Sequence, residues 1–244
     1  MNFSEELRRP VILTCMHGRH DLTRLWIEHT SALGVQIYAA VTAGDVPNIE
    51  NCSAFGAKFV EVPNDPLGAK HNAMLSLALG DAWDAAFMVP SDDFLDPRWI
   101  GDAMRTGAPY AMPWRCGIFD APTGRAMTLT CKDHGARKYG AGRMIARKAI
   151  DRVGVLWTDH KMRGLDSDSH ARLSGAGFGM RIVVADYLPV TDIKGEGNLW
   201  SYDTWAQGRG AAKATADDVL AMLSADHRGS MLIHPRRAPS TRVG

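Results

Sequence analysis

Hydrophobic and polar positions fall along this chain in two kinds of block, short apolar runs and longer stretches with apolar residues three or four apart, and the two kinds alternate. Val11-Ile-Leu-Thr-Cys15 is a continuous apolar run, which suits a strand covered on both faces. It ends in the donor-rich loop Met16-His-Gly-Arg-His20, after which Asp21 is placed to cap a helix carrying Leu22, Leu25, Trp26, His29 and Leu33 at helical spacing. Residues 35–42 read as a second strand, closed by a turn that puts Asp45 at its carboxyl end; a short helix near 48–55 and a third strand over 57–62 follow. A helix over 67–79 and a strand over 85–89 complete a series of the kind that builds a parallel sheet.

Beyond a helix from Pro97 to about Arg105, which Asp96 is placed to cap, the pattern is less regular. Residues 110–114 suit a strand, 115–129 a hairpin punctuated by Gly117, Pro122 and Gly124, 148–153 a helix, 165–177 a helix that begins with acids and ends in glycine, and 180–184 a strand. The stretch 191–202 mixes glycine, aromatics and charges and is expected to be a mobile loop able to close over a site. A capped helix over 215–223 precedes a tail from Arg228, with Arg236, Arg237 and Arg242, expected to be poorly ordered.

Composition narrows the class. With 244 residues, 45% of them hydrophobic, the chain can bury a sizeable core, and a net charge of +1 argues against binding nucleic acid through a strong overall basic field. Cys15, Cys52, Cys116 and Cys131 are widely separated, so neither a zinc site nor a disulfide framework is indicated and a reducing cytoplasm is the expected compartment. The charged N-terminus lacks the apolar segment of a secretion signal, and no apolar run is long enough to cross a bilayer.

The candidate chemistry centres on Ser91-Asp92-Asp93, just past the apolar strand. In an open α/β sheet, ligands bind beyond the carboxyl ends of the strands, so the two acids are placed to hold a metal or a sugar hydroxyl. Adjacent carboxylates repel unless a cation compensates, and oxygen ligands together with a diphosphate suit Mg2+ or Mn2+. The plainer reading is a loop leading into the Asp96-Pro97 helix start. Lys70 and Asn72 lie in the first turns of their helix, where backbone amides favour an anion such as a diphosphate; the plainer reading of Lys70 is an exposed lysine. Asp166 and Asp168 are candidate general bases, or else ordinary stabilisers of a helix N-terminus.

Three stretches together resemble the GT-A glycosyltransferases, in particular the large inverting, family-two-like group of nucleotide-sugar transferases that includes cellulose- and chitin-type synthases and many bacterial and phage enzymes. Ser91-Asp92-Asp93 is similar to the DxD-type element, whose last acid holds the divalent metal. Residues 142–154 resemble the turn, strand and helix that end in "VG", and residues 165–177 resemble the "EDxxLxxRLxxxG" helix, with Leu165 in place of the glutamate and Ser169 in place of a leucine. The likeness spans about residues 10–185. It implies a single GT-A-like domain over 1–227, a Rossmann-like, mostly parallel sheet flanked by helices. Within it, a nucleotide-sugar-binding half would span about 10–105 and an irregular acceptor-side half about 106–227, followed by a basic tail over 228–244. It also implies Asp166 or Asp168 as catalytic base, Asp93 as ligand to Mn2+ or Mg2+, and His17, Arg19, Asp45, Lys70, Asn72 and Asp92 toward the donor, a UDP-sugar first of all; Lys194 and Trp200, from the expected mobile loop, join that set.

Other classes stay open: a sugar nucleotidyltransferase, a metal-dependent hydrolase using Asp92 and Asp93, or a non-catalytic binding module. For the acceptor, the resemblance to small phage transferases raises a hydroxymethylated pyrimidine in DNA, which would place the chain in a host cytoplasm. Arg137, Lys138, Arg143, Arg147 and Lys148 would then meet phosphates, and Trp157 and Trp200 would stack on bases. A saccharide, a lipid-linked glycan or a small molecule is the alternative acceptor, and the absence of a membrane helix weighs against a membrane-fed polysaccharide synthase.

Overall fold

A computed structural model describes residues 9–130, 140–195, 198, 201–207 and 210–232. The first third alternates as the apolar runs require: β1 (Pro10–Met16), α1 (His20–Ser31), β2 (Gln36–Thr42), α2 (Val46–Ala54), β3 (Lys58–Val62), α3 (Leu67–Leu79) and β4 (Ala85–Met88). These four strands run parallel in the order β4-β1-β2-β3. The sheet is extended past β4 by β9 (Arg143–Ala146), antiparallel to it, then by β6 (Tyr110–Pro113) and β10 (Arg181–Val183), giving seven strands in the order β10-β6-β9-β4-β1-β2-β3.

Both faces of this sheet are covered, and the two-residue period of the strands divides the core accordingly. Val11 and Leu13 of β1, Tyr38 and Ala40 of β2, Ala86 of β4 and Ile145 of β9 join one cluster with Met74, Leu75 and Ala78 of α3. Their alternates Ile12 and Met16, Ile37, Ala39 and Val41, Ala85 and Phe87, and Met144 join another, with Trp26 and Ile27 of α1 and Trp99 of α4 (Pro97–Arg105). Asp96 caps α4 as its sequence implies, accepting from Arg98 N at 2.9 Å, with Pro97 in the first helical position.

The second half departs from expectation. In place of an irregular region it builds a five-stranded sheet in the order β12-β8-β7-β11-β5, from β5 (Asp93–Leu95), β7 (Arg115–Asp120), β8 (Arg125–Thr130), β11 (Val190–Lys194) and β12 (Ala211–Ala214). The segment expected to be a mobile loop opens with β11, an interior strand buried at every residue, parallel to β7 and antiparallel to β5. Its polar residues concealed it: Thr191, Asp192 and Lys194 are buried because they are paired, so the usual alternation of apolar and polar positions is missing. The two sheets do not divide the chain at residue 105, since β5 belongs to the second sheet while β6, β9 and β10 belong to the first.

Helices α5 (Arg147–Val153) and α6 (Leu165–Gly175) lie between β9 and β10, and α7 (Tyr202–Ala206) lies between β11 and β12. Where one capped helix was expected over 215–223, α8 (Ala216–Leu220) has a capping box between Thr215 and Asp218, and a separate α9 (Ala225–Leu232) carries ordered structure past Arg228, into the expected tail. Ile193 is 1% exposed in β11. Ile193→Ala should therefore destabilise the chain by about 2–5 kcal/mol, read as a lowered urea midpoint with an unchanged slope, whereas a mobile loop would tolerate the change within about 0.5 kcal/mol.

Candidate functional site

The carboxyl ends of β1 and β4 open into a cavity of about 410 Å³ whose wall includes His17, Arg19, Lys70, Asp92, Asp93, Asp166 and Lys194. Seven of the residues singled out in the sequence thus meet in one place, although they are spread over nearly the whole described chain.

The acids come first. Asp93 opens β5 and lies opposite Asp192 in the antiparallel pair with β11, so two carboxylates face each other across neighbouring strands. The main chain here is pinned from α1: the Trp26 indole N–H donates to the Asp93 carbonyl at 2.7 Å, and His29 Nε2 meets the Leu95 carbonyl at 2.8 Å. Burial, reinforced by Asp192 and Asp92, pushes the Asp93 carboxyl well above the usual carboxylate range, and its Oδ1 is buried without a hydrogen-bond partner. Asp92 differs from its neighbour. Burial disfavours its charge, but Arg19 and Lys194 outweigh burial and hold it below the usual range. Its Oδ2 accepts from Arg19 at 2.7 Å and from Asn198 Nδ2 at 2.6 Å. Lys194, two residues after Asp192 on the same strand face, meets the Asp192 carboxylate at 2.5 Å. Asp192 and Asn198 are site residues that sequence reading missed; the Asp-x-Lys spacing of 192 and 194 was the available signal.

Arg19 is delivered by the β1–α1 loop, where Gly18 and Arg19 both adopt positive φ, 54° and 48°. Asp45 holds this loop from below, accepting from Gly18 N at 2.9 Å and Asn48 Nδ2 at 2.8 Å and meeting His20 Nε2 at 2.8 Å. Burial works against its charge but these contacts prevail and lower its pKa. Asp45 is therefore a clamp on the loop, and it is not among the residues lining the cavity. Asp21 does not cap α1 either: it lies within the first turn, and the helix has no side-chain cap.

The expected anion site at the start of α3 is also corrected. Gly68 N and Ala69 N donate to the Lys161 and Asp159 carbonyls at 2.8 and 3.0 Å, so the chain itself fills that helix terminus. Asn72 donates to the Trp157 carbonyl at 2.7 Å and to Asp159 at 2.6 Å. The buried Lys70 spends all three N–H groups internally, on Met16 O, Thr42 Oγ1 and Asn64 Oδ1 at 2.6, 2.7 and 2.9 Å, and burial lowers its pKa.

Also on the cavity wall, the Asp166 side chain is 51% exposed and is gripped by Arg143, whose guanidinium is buried: NH2 donates to Asp166 Oδ1 at 2.7 Å, and NH1 to Ser169 Oγ at 2.8 Å and to the Asp166 carbonyl at 3.1 Å. Gly140 makes the room, since a Cβ there would come within 2.1 Å of Asp166 Oδ1. Asp168 faces elsewhere. Its oxygens accept from Thr158 N at 2.6 Å and Lys161 Nζ at 2.9 Å, and although burial opposes its charge these bonds hold its pKa down at about 2. A carboxylate so occupied and so weakly basic is a structural fastener, which removes Asp168 from the candidate bases.

Two residues expected to serve DNA are unavailable. Arg143 is committed to Asp166, and Trp157 is buried with its ring 5.1 Å from that of His71. Arg147 pairs with Asp151 and donates to the Asp81 and Leu79 carbonyls. Trp200, Arg137, Lys138 and the tail arginines lie outside the described residues. Among the described residues no group of three or more His, Cys, Asp or Glu is placed to hold a metal ion, and no helix is long and apolar enough to cross a membrane.

The fold is α/β and GT-A-like, and the solved structures similar to it are of GT-A-like and nucleotidyltransferase folds. S. aureus TarS 1–349 matches with a TM-score of 0.52 at 8% identity, over 76% of this chain and 60% of that one. The inositol-1-phosphate CTP transferase from T. maritima matches with a TM-score of 0.51 at 11% identity, over 95% of this chain and 99% of that one. A longer S. aureus TarS chain matches with a TM-score of 0.50 at 6% identity; this chain covers 37% of it. No protein-family model matches the sequence, and no curated protein matches it.

The depressed pKa of Asp168 fixes the sign of a pH effect. Its contribution to stability is fully present above the unfolded value of about 3.9 and fades as pH falls toward about 2. The melting-temperature difference between the native chain and Asp168→Asn should therefore be constant above about pH 5 and shrink steadily below pH 4; a pH-independent difference would contradict the fastener role.

Proposed function

We propose that this chain is an enzyme that transfers a glycosyl group from a nucleotide-sugar donor to an acceptor hydroxyl, with inversion. The observation that carries the reading is that two acidic groups with different chemistry line one cavity. One is the buried cluster of Asp92, Asp93 and Asp192; the other is the half-exposed Asp166, held by a buried arginine. In the proposed step the acceptor oxygen attacks the anomeric carbon, the bond from that carbon to the diphosphate oxygen breaks with its electron pair leaving on the nucleoside diphosphate, and the acceptor proton passes to Asp166. One base and one displacement account for inversion. Arg143 keeps the carboxylate aimed into the cavity, while Arg19 and Asn198 fix Asp92 for a donor hydroxyl.

A divalent ion, Mn2+ or Mg2+, fits one atom of this site. That atom is Asp93 Oδ1, buried without a partner among the described residues; Asp93 would hold the ion with remaining ligands from the donor's diphosphate, and the charge it supplied would add to that of the chain's own cations. A second reading, nucleotidyl transfer, is favoured by the T. maritima transferase, which matches over nearly its whole length. The acceptor within the glycosyl reading is a hydroxyl compound, and a hydroxymethylated pyrimidine in duplex DNA is one class to be tested beside saccharides and small molecules.

The products separate the readings. Incubated with a panel of nucleotide sugars and acceptors, UDP-sugars first, the native chain should release nucleoside diphosphate; release of pyrophosphate from a nucleoside triphosphate and a sugar phosphate would instead establish nucleotidyl transfer. Asp166→Asn should lower kcat by about 10²–10⁴ with little change in KM. Gly140→Ala, which displaces the carboxylate without removing it, should cost up to about 10² in kcat. Full activity in Asp166→Asn would remove it as the base.

A further inference from the structure

Two buried lysines line the cavity, and they are bonded differently. Lys70 has each of its three N–H groups on a protein acceptor. Lys194, 6% exposed, has one acceptor among the described residues, Asp192 Oδ2. An ammonium is a three-donor group, and leaving donors unmade in a buried site is costly unless something else receives them. Neutralising Asp192 explains one N–H and leaves two at the cavity wall. The other cations there are differently placed: Arg143 turns both terminal nitrogens to Asp166 and Ser169, whereas Arg19 is fixed by Asp92. Arg19, Lys70, Arg143, Arg163 and Lys194 together outnumber the four carboxylates of the wall, so the cavity carries a formal excess of positive charge with no added ion.

From this we infer that Lys194 is a built-in cation for the donor's diphosphate, held in place by Asp192, and that the cavity binds a nucleoside diphosphate without a divalent metal. The inference rests on the glycosyl-transfer reading and deepens it by assigning the charge that receives the leaving group to the chain itself. As the bond from the anomeric carbon to the diphosphate oxygen breaks, the electron pair stays on that oxygen and the two unused N–H groups of Lys194 donate to the phosphate oxygens. No proton is transferred at this end, and the acceptor's proton goes to Asp166. Asp192 is a positioning residue, opposite Asp93 and two residues from Lys194 on the same strand face.

The test is calorimetric binding of UDP, with GDP, ADP, CDP and dTDP as the rest of the panel, to the full chain in excess EDTA and again with Mn2+. Lys194→Gln removes the charge alone. The double variant Asp192→Asn, Lys194→Met removes both members of the pair, so that no buried carboxylate is left bare, and Lys194→Arg restores a cation; far-UV circular dichroism checks that each folds. The expected result is a diphosphate bound in EDTA with an affinity that Mn2+ changes by less than about threefold, lost by about tenfold or more in Lys194→Gln and the double variant, and largely retained in Lys194→Arg. Binding only with Mn2+, or unchanged binding in the folded charge-removing variants in EDTA, overturns the inference and leaves the transfer reading standing. If the native chain binds none of the panel with or without Mn2+ and consumes no donor, the transfer reading falls and the inference with it.

Discussion

The site depends on one pairing, that of the three-residue β5 with β11, because it brings Asp93 and Asp192 face to face in the interior. Like charges directly opposite on adjacent strands are destabilising, and burial raises that cost. The fold opposes it with the Lys194 ammonium and the Arg19 guanidinium, each delivered from a different element, and with the Trp26 and His29 hydrogen bonds that hold the β5 main chain from α1. Trp26, Phe94, Trp99 and Ile193 are essentially fully buried around this point. The apolar core thus supplies the stability that the acid cluster subtracts, an arrangement expected where function and local stability disagree.

The sequence made the first sheet legible because its strands are continuous apolar runs with helices between them, and both faces of each strand turn out to be covered. Asp96-Pro97 was legible for a local reason, a cap whose bonds are made within two residues. β11 was not, since Thr191, Asp192 and Lys194 are polar and buried, and only knowledge of their partners explains their burial. The same limit applies to single residues. A lysine near a helix start suggests an anion until Met16 O, Thr42 and Asn64 are seen around its ammonium, and Asp168 cannot be told from Asp166 until Lys161 and the Thr158 amide are seen to hold it. Motif spacing located the wall of the cavity; side-chain partners decided which members of each motif face into it.

Partners also sort the charges by role. Asp45, Asp168 and Lys70 have their polar atoms met by the chain and act as fasteners for a loop, a helix start and a strand end, and Arg143 turns both terminal nitrogens to holding the Asp166 turn. Asp93, Lys194 and Asp166 differ, having respectively a buried oxygen without a partner, an ammonium with one acceptor, and a carboxylate half in solvent. Unmet hydrogen-bonding capacity in a buried wall is a better guide to ligand contact than residue type, because the folded chain leaves it only where something else can fill it.

That distinction also bears on why one architecture is similar to both glycosyl- and nucleotidyl-transferase folds. Each reaction breaks a bond at a phosphate or diphosphate oxygen and needs positive charge there, and the end of β4, with Arg19 and Lys194 set among aspartates, answers that shared demand. What separates the reactions is the attacking group, because only glycosyl transfer to a neutral hydroxyl requires a base close to the attacking oxygen. In the glycosyl reading that group would be Asp166, half exposed, held by Arg143 and given space by Gly140.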